Sequence, residues 1–550
     1  MTEIGSGRVR HRVAFESRRS PLLATAGCVA TSHPLAAQAG LELLRSGGNA
    51  ADAAVAAAAA LNVVEPTSTG IGGDCFALFY EAATRRVHAL NGSGRAPAAL
   101  SVEALEGCGF TREMPGLGVH TVTVPGAAAG WADTLRRHGR RSLADVLAPA
   151  IRIATDGHAV APIVAHAWRG SEALLSEASP HGGEMLLDGR APTAGEIWRN
   201  PGLASVFTEL AQGGPEAFYC GRAARAILNV SDSLGGLLSE DDLAAHRSSF
   251  EAPISTTYRG YTVYECAPNG QGLTALIALN ILEGFDLRAL DRTDAAYLHL
   301  LIESLRLAFA DTRWYVADPE HCPVPVEALL SKAYAAERRR LVDASKANVD
   351  PVHGSPVSGS DTVYLCAADA DGNACSFINS NYVGFGTGIV PPGCGFTLQN
   401  RGAGFRLEPG HPNRLEPRKR PYHTIIPALS TDANGELHAA FGVMGGFVQP
   451  QGHVQVFLNL VEHGLDPQNA LDAARFSIWS DPPRGEVFLE DAIPAVAQRG
   501  LAERGHRIRV IGDLGRTAVF GRGQIILRDP ETGVLWAGSD PRADGAAVGL

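Results

Sequence analysis

A chain of 550 residues, 45% apolar and 19% charged, can bury an extended core and has room for two to four domain-sized units or one large layered fold. Its net charge of −11 and pI near 5.9 argue against nucleic acid or an anionic membrane as a general partner. No run approaches the roughly 18 apolar residues of a membrane helix, no apolar leader core lies in the first 20 residues, and nine scattered cysteines without CxxC or Cys/His ligand spacing favour a reduced compartment and no structural zinc.

These features describe a soluble cytoplasmic protein, with Arg8, Arg10, Arg12, Arg18 and Arg19 in a solvated tail. Along the chain, residues 21–30 read as a first strand, and apolar spacing predicts helices over 34–44 and 51–61, the first stopped by Gly47-Gly48 and the second by Pro66. Strands follow at 75–80 and 87–91. Residues 140–345 read as mainly helical, with periodic helices over 143–156 and 295–313 and a strand pair within 251–266. A polar linker over 344–361 leads to a β-rich third region. There a hairpin spans 362–381 across Asp371-Gly372, strands lie near 424–430 and 437–443, helices cover 452–464 and 467–474, and more strand follows over 508–538.

The cluster Gly70-Ile71-Gly72-Gly73-Asp74 lacks the Lys-Ser/Thr of a phosphate loop and precedes a strand, so a tight turn into that strand stands beside the nucleotide reading. No GxSxG elbow or HExxH occurs. Gly445-Gly446 lies between a strand and a helix, where backbone N–H groups can converge on an oxyanion; a plain turn is the alternative. Thr362 sits where the polar linker meets an apolar strand. A cut just before it would free an α-amine as base beside a hydroxyl nucleophile.

The hairpin from Thr362 through Asp369-Ala370-Asp371-Gly372-Asn373 is joined by Phe385-Gly386-Thr387-Gly388, Lys419-Arg420-Pro421 and Met444-Gly445-Gly446, and earlier by Thr31-Ser32-His33-Pro34-Leu35-Ala36 and Gly47-Gly48-Asn49-Ala50-Ala51-Asp52. In order and spacing these resemble the γ-glutamyltransferase (glutathione hydrolase) family of N-terminal nucleophile hydrolases, over about 25–540. The resemblance implies an α+β, four-layer αββα sandwich and a proenzyme that cleaves itself between Asp361 and Thr362. The products would be a large subunit, 1–361, and a small one, 362–550, sharing the sandwich; pairing of two such heterodimers is compatible with it. Thr362 would be the nucleophile, with Gly445 and Gly446 holding the oxyanion. Ser380 occupies the place of a second hydroxyl orienting Thr362, though a strand serine satisfied by backbone is equally consistent with its position. The sequence offers no metal site and no need for an organic cofactor.

Departures from the family bear on substrate. Its α-carboxylate arginine is replaced by Ser93 in Asn91-Gly92-Ser93-Gly94-Arg95-Ala96-Pro97, with Arg95 two residues on. Its α-amine aspartate is replaced by Gly404 in Gln399-Asn400-Arg401-Gly402-Ala403-Gly404-Phe405, its paired serines by His423-Thr424, and its hairpin asparagine by Tyr382. These signatures look more like the branch containing oxamate amidohydrolases and certain cephalosporin acylases. The expected substrate is therefore a small amide bearing a carboxylate, with Arg95 and Arg401 as its ligands and His423, Thr424 and Tyr382 lining the site. The rivals are true γ-glutamyl hydrolysis or transfer, and an uncut, inactive relative that binds a ligand.

Overall fold

The computed structural model describes residues 19–349, 351, 361–478 and 485–550; the arginines at 8, 10, 12 and 18 and most of the linker after 349 lie outside the described residues. Two seven-stranded antiparallel sheets face one another. In order, the first holds Ala546–Gly549, Gly27–Thr31, Asp361–Asp369, Ala374–Tyr382, Asp74–Glu81, Arg86–Gly92 and Ser249–Glu251. The second holds Leu22–Ala24, Leu535–Ser539, Arg522–Arg528, Leu437–Met444, Ala428–Thr431, Tyr261–Glu265 and Ile254–Tyr258.

Strand alternation assigns the layers. Along Asp361–Asp369, Val363, Leu365 and Ala367 pack outward against the fully buried helix Ala50–Val64. Tyr364, Cys366 and Ala368 point inward, meeting Leu429, Ala440 and Ile526 of the second sheet. The second sheet is covered on its far side by Gly272–Leu282, Ala295–Tyr315 and Val448–Val461. The result is the four-layer αββα sandwich. Alanine dominates Ala50–Val64 because small side chains let that helix lie close to the sheet and to helix Pro34–Arg45, where a Cβ at Gly40 would come within 2.8 Å of the Ala53 carbonyl.

The segments on either side of the linker share one sheet, because Asp361–Asp369 pairs with Gly27–Thr31 on one side and Ala374–Tyr382 on the other. Two expectations change. Residues 21–30 form two strands, one in each sheet, divided before Gly27, whose φ of 136° and close approach to the Ala368 carbonyl suit glycine alone. The helix expected from 452 begins at Val448, since Pro450 falls in the first turn, where its missing N–H costs nothing. Among the described residues no helix is long and apolar enough to cross a membrane. All nine cysteines are free of disulfides.

Burial forces several histidines to stay neutral. Arg306 Nη1 donates to His506 Nδ1 at 3.2 Å, so His506 Nε2 carries the proton and donates to His299 Nδ1 at 2.7 Å; His299 Nε2 then donates to the Asp343 carbonyl at 2.7 Å. Desolvation pulls His423, His453 and His506 down to about 3. In the unfolded chain they protonate near pH 6.5, so between there and about pH 3 the unfolded state binds more protons. Stability is thus fully present above pH 6.5 and should fall with acidification by roughly 1.4 kcal/mol per pH unit for each such histidine. Urea midpoints between pH 8 and 5 should be level above about 6.5 and decline below it; a profile flat to pH 5 would contradict this assignment.

Candidate active site

Inward-facing parity brings the candidate residues to one end of the sandwich. Ser380 follows Ile378 on the inner face, and Asp74 precedes Phe76 on the same face; Ser380 and Asp74 are directly opposed in register. Thr362 has the parity of Tyr364. The pairing steps from Asp361↔Tyr382 to Val363↔Asn379, so one extra residue of the partner strand faces Thr362. Such a bulge re-aims side chains, and here it sets Thr362 Oγ1 3.1 Å from Ser380 Oγ, with both residues fully buried.

Donors converge on this pair. The Tyr382 N–H and Arg401 Nη2 donate to Ser380 Oγ at 2.9 and 3.3 Å, which fixes that hydroxyl beside Thr362. Gln449 Nε2 lies 3.5 Å from Thr362 Oγ1, its Oε1 fixed by the Ile426 N–H at 2.9 Å. Ser380 therefore serves both its strand and the nucleophile candidate. Gln449 was not assigned from the sequence, although it lies in the Gln449-Pro450-Gln451-Gly452-His453 run.

Arg401 is the buried cation behind them. Its Nη1 donates to Thr424 Oγ1 at 2.8 Å, and its guanidinium lies 4.3 Å from the centre of the Tyr382 ring. Desolvation lowers its pKa to about 10, with Asp74 and Tyr382 opposing that fall, and it stays charged at neutral pH. Tyr382 reaches this position with a φ of 83°, a left-handed conformation unfavourable for an aromatic residue and held by the surrounding packing.

Asp74 organises the loops. Its Oδ1 accepts from the Gly94 and Gly126 N–H groups and from Gln399 Nε2, each at 3.0 Å, and its Oδ2 accepts from His423 Nε2 at 3.0 Å. Because the Ile425 N–H donates to His423 Nδ1, Nε2 is the protonated nitrogen. His423 is thus a neutral donor to Asp74, and Thr424 a partner of Arg401. The glycines before Asp74 serve close packing: a Cβ at Gly72 would lie 2.2 Å from the Thr397 carbonyl and one at Gly73 2.2 Å from the Ser380 carbonyl. The cluster is a tight turn into the strand, and nothing in the local sequence marks Asp74, its last residue, as an anchor.

Gly445 and Gly446 have φ values of 130° and 57°, and their carbonyls cap the start of the Val448–Val461 helix. Gln271 Nε2 donates to both the Gly446 and Thr424 carbonyls, at 2.8 and 2.7 Å, tying this turn to the Arg401 partner. Arg95 is drawn elsewhere. Its guanidinium bonds Asp318, Glu320 and the Arg418 carbonyl, two carboxylates more than 220 residues away in sequence. Ser93 is fully buried and accepts from Asn269 Nδ2 at 3.1 Å.

Beside the cluster, a small cleft is lined by Arg313, Tyr382, Gly404, Arg406, Asn413, Tyr422 and Phe447. Gly404 leaves no room for a side chain, since a Cβ there would stand 2.9 Å from the Tyr422 carbonyl. Arg313 lies in the last turn of the Ala295–Tyr315 helix, whose periodicity is legible, but its place in a cleft is not. Among the described residues, His299, Glu303 and His506 bring metal-ligand atoms within 4.8 Å of one another. Each of them is already engaged with protein groups, Glu303 bonding Arg306 and the Asn348 N–H.

Comparison with known proteins agrees with this architecture. The chain is 38% identical over 535 residues to the glutathione hydrolase-like YwrD proenzyme of Bacillus subtilis, covering 96% of this chain and 99% of that one. It is 34% identical over 536 residues to the oxamate amidohydrolase proenzyme of Klebsiella pneumoniae, covering 96% and 99%. The crystal structure of cephalosporin acylase from Bacillus halodurans superposes with a TM-score of 0.90 at 46% identity, covering 100% of this chain and 99% of that one. The family profile "Gamma-glutamyltranspeptidase" matches residues 36–550, and the chain belongs to that family.

Proposed function

We propose that the protein is a self-processing N-terminal threonine amidohydrolase that cleaves small carboxylate-bearing amides through an acyl-enzyme on Thr362. The observation that carries this reading is the buried Thr362 hydroxyl, flanked by the Ser380 hydroxyl at 3.1 Å and the Gln449 amide at 3.5 Å, with the Arg401 cation one hydrogen bond behind Ser380. An alkoxide forming at Thr362 would meet the Gln449 amide and the Ser380 hydroxyl, with a positive charge nearby in a low-dielectric pocket. The proenzyme names of the relatives support a chain made as a precursor.

In the processing step, Thr362 Oγ attacks the Asp361 carbonyl carbon, the C–N bond breaks, and the nitrogen takes a proton to become the α-amine. Water then hydrolyses the ester, leaving Asp361 with a carboxylate. In turnover the free amine, with a pKa near 8 in an ordinary chain, accepts the Thr362 proton as Oγ attacks the substrate carbonyl. The Gly445-Gly446 turn holds the oxyanion. The leaving amine departs with the proton, and water, or an acceptor amine, releases the acyl group from Oγ. Arg401 supports the nucleophile and contributes positive potential to the acyl site, whereas Arg95, engaged by Asp318 and Glu320, is not carried into the proposal.

Thr362→Ala should remain one band on denaturing electrophoresis, while the wild type gives bands near two-thirds and one-third of 57.7 kDa. The variant should lose at least about 10³-fold in amide hydrolysis. Hydrolysis surviving in it would show that the nucleophile lies elsewhere. A wild-type chain that stays whole and inactive favours a binding relative.

Glutaryl-p-nitroanilide and γ-glutamyl-p-nitroanilide differ by a single α-ammonium group. With glycine at 404 and arginines around the site, kcat/KM should favour the glutaryl compound by about 30-fold or more. Equal or better turnover of the γ-glutamyl compound would establish the glutathione-type specificity instead.

A further inference from the structure

We infer that Gln271 is a positioning residue for the amide hydrolysis proposed above, a role that rests on that reading: it braces the Gly445-Gly446 turn against the Arg401–Thr424 arm so that both meet Thr362. The hydrogen bonds around the threonine close into a circuit. Thr362 Oγ1 lies 3.1 Å from Ser380 Oγ, which accepts from Arg401 Nη2 at 3.3 Å, and Arg401 Nη1 donates to Thr424 Oγ1 at 2.8 Å. The Thr424 carbonyl accepts from Gln271 Nε2 at 2.7 Å, and the same nitrogen donates to the Gly446 carbonyl at 2.8 Å. That carbonyl also accepts from the Gln449 N–H at 3.2 Å, and Gln449 Nε2 returns to Thr362 Oγ1 at 3.5 Å. Gln271 is the circuit's contribution from before the linker; every other member follows it.

The geometry asks for an amide at this position. The Gln271 side chain is fully buried, and each of its polar atoms is engaged: Nε2 gives its hydrogens to the two carbonyls, and Oε1 accepts from the Tyr422 hydroxyl at 3.1 Å. Its backbone is fastened as well, since the Gln271 N–H donates to the His423 carbonyl and the His423 N–H to the Asn269 carbonyl, both at 2.9 Å. A carboxylate here would turn its lone pairs on two carbonyls, and a thioether would take this donor from both. The turn feels that loss directly. The Gly445 carbonyl accepts from the Val448 N–H at 3.0 Å, and a trans peptide sets its N–H opposite its carbonyl, so the Gly446 N–H points away from the helix start. Through the Gly446 carbonyl, Gln271 fixes the next peptide, and with it the orientation in which the turn meets a developing oxyanion.

The test measures kcat and KM for glutaryl-p-nitroanilide on wild type, Gln271→Met and Gln271→Glu, each shown to be folded by circular dichroism, between about pH 6 and 8.5. Both variants should lose about 10-fold or more in kcat at the upper end of that range, with KM kept within about 3-fold. Protonation returns one donor to the glutamate, so the ratio of its kcat to that of the wild type should rise as pH falls, which a loss of folded protein would not produce. Variants at wild-type kcat, variants that raise KM alone, or a ratio flat with pH would overturn the role and leave the amidohydrolase reading in place. A wild type that stays whole and cleaves no amide would sink both. Should Gln271→Met fail to fold, the isosteric glutamate variant decides through its pH ratio.

Discussion

The arrangement depends on one buried carboxylate. Asp74 is wholly removed from solvent, and isolating an ionised carboxylate in such an interior is costly unless donors replace its water. Here Gly94, Gly126, Gln399 and His423 supply four, arriving from segments scattered over more than 300 residues of sequence. Each segment that turns toward Asp74 carries something the site uses. The Gly94 turn brings buried Ser93, Gln399 leads into Arg401, and His423 sets Thr424 against that arginine. Removing the carboxylate would leave neutral His423 and Gln399 buried without their shared acceptor, and the loops would lose their common anchor.

Asp74 can do this because of strand parity. The same alternation that sends Tyr364, Ile378 and Phe76 between the two sheets carries Thr362, Ser380 and Asp74 to the inner face at the strand ends, where the apolar layer stops. A regular ladder would oppose each residue of one strand to one of the other. The extra residue opposite Thr362 breaks that match locally and brings two hydroxyls into contact. The Thr362–Ser380 contact is thus a defect placed at the end of an otherwise regular sheet. Its rigidity comes from pairing on both sides, since Asp361–Asp369 and Ala374–Tyr382 are central strands.

Much of this was legible where the determinants are local. The hairpin turn is written in Asp369 to Asn373: the Asp369 carboxylate accepts from the Asp371 and Asn373 N–H groups, and Gly372 supplies a φ of 84°. The helix over 34–45 and the fully apolar run over 50–64 follow from spacing and from the Asn49–Asp52 capping box. Long-range partners were not legible. Nothing near Arg95 announces Asp318 and Glu320, and a loop arginine two residues from a lost ligand naturally suggested compensation. Arg401 read as an open-site cation, yet Thr424, Ser380 and the Tyr382 ring enclose it, and those three meet only after the sheets have formed. Strand order was hidden for the same reason, since period-2 patterning identifies strands and not their neighbours.

The proposed function separates chemistry from recognition in physical terms. In it Thr362, Ser380 and Gln449 would act through hydroxyl and amide groups whose geometry is fixed by bulge, strand and helix start, and none of these groups would discriminate one acyl chain from another. Discrimination would fall to the groups around them. The position that would carry an acid is Gly404, and its backbone packs so closely on the Tyr422 carbonyl that a side chain there requires the loop to move. That loop is in turn clasped by Asn413 to both Tyr422 and the Arg406 segment. The bare backbone at 404 and the placement of the Arg406 segment are therefore one packing solution. A side chain introduced at 404 would have to rebuild the Asn413 clasp, while Thr362 and its neighbours could remain as they are.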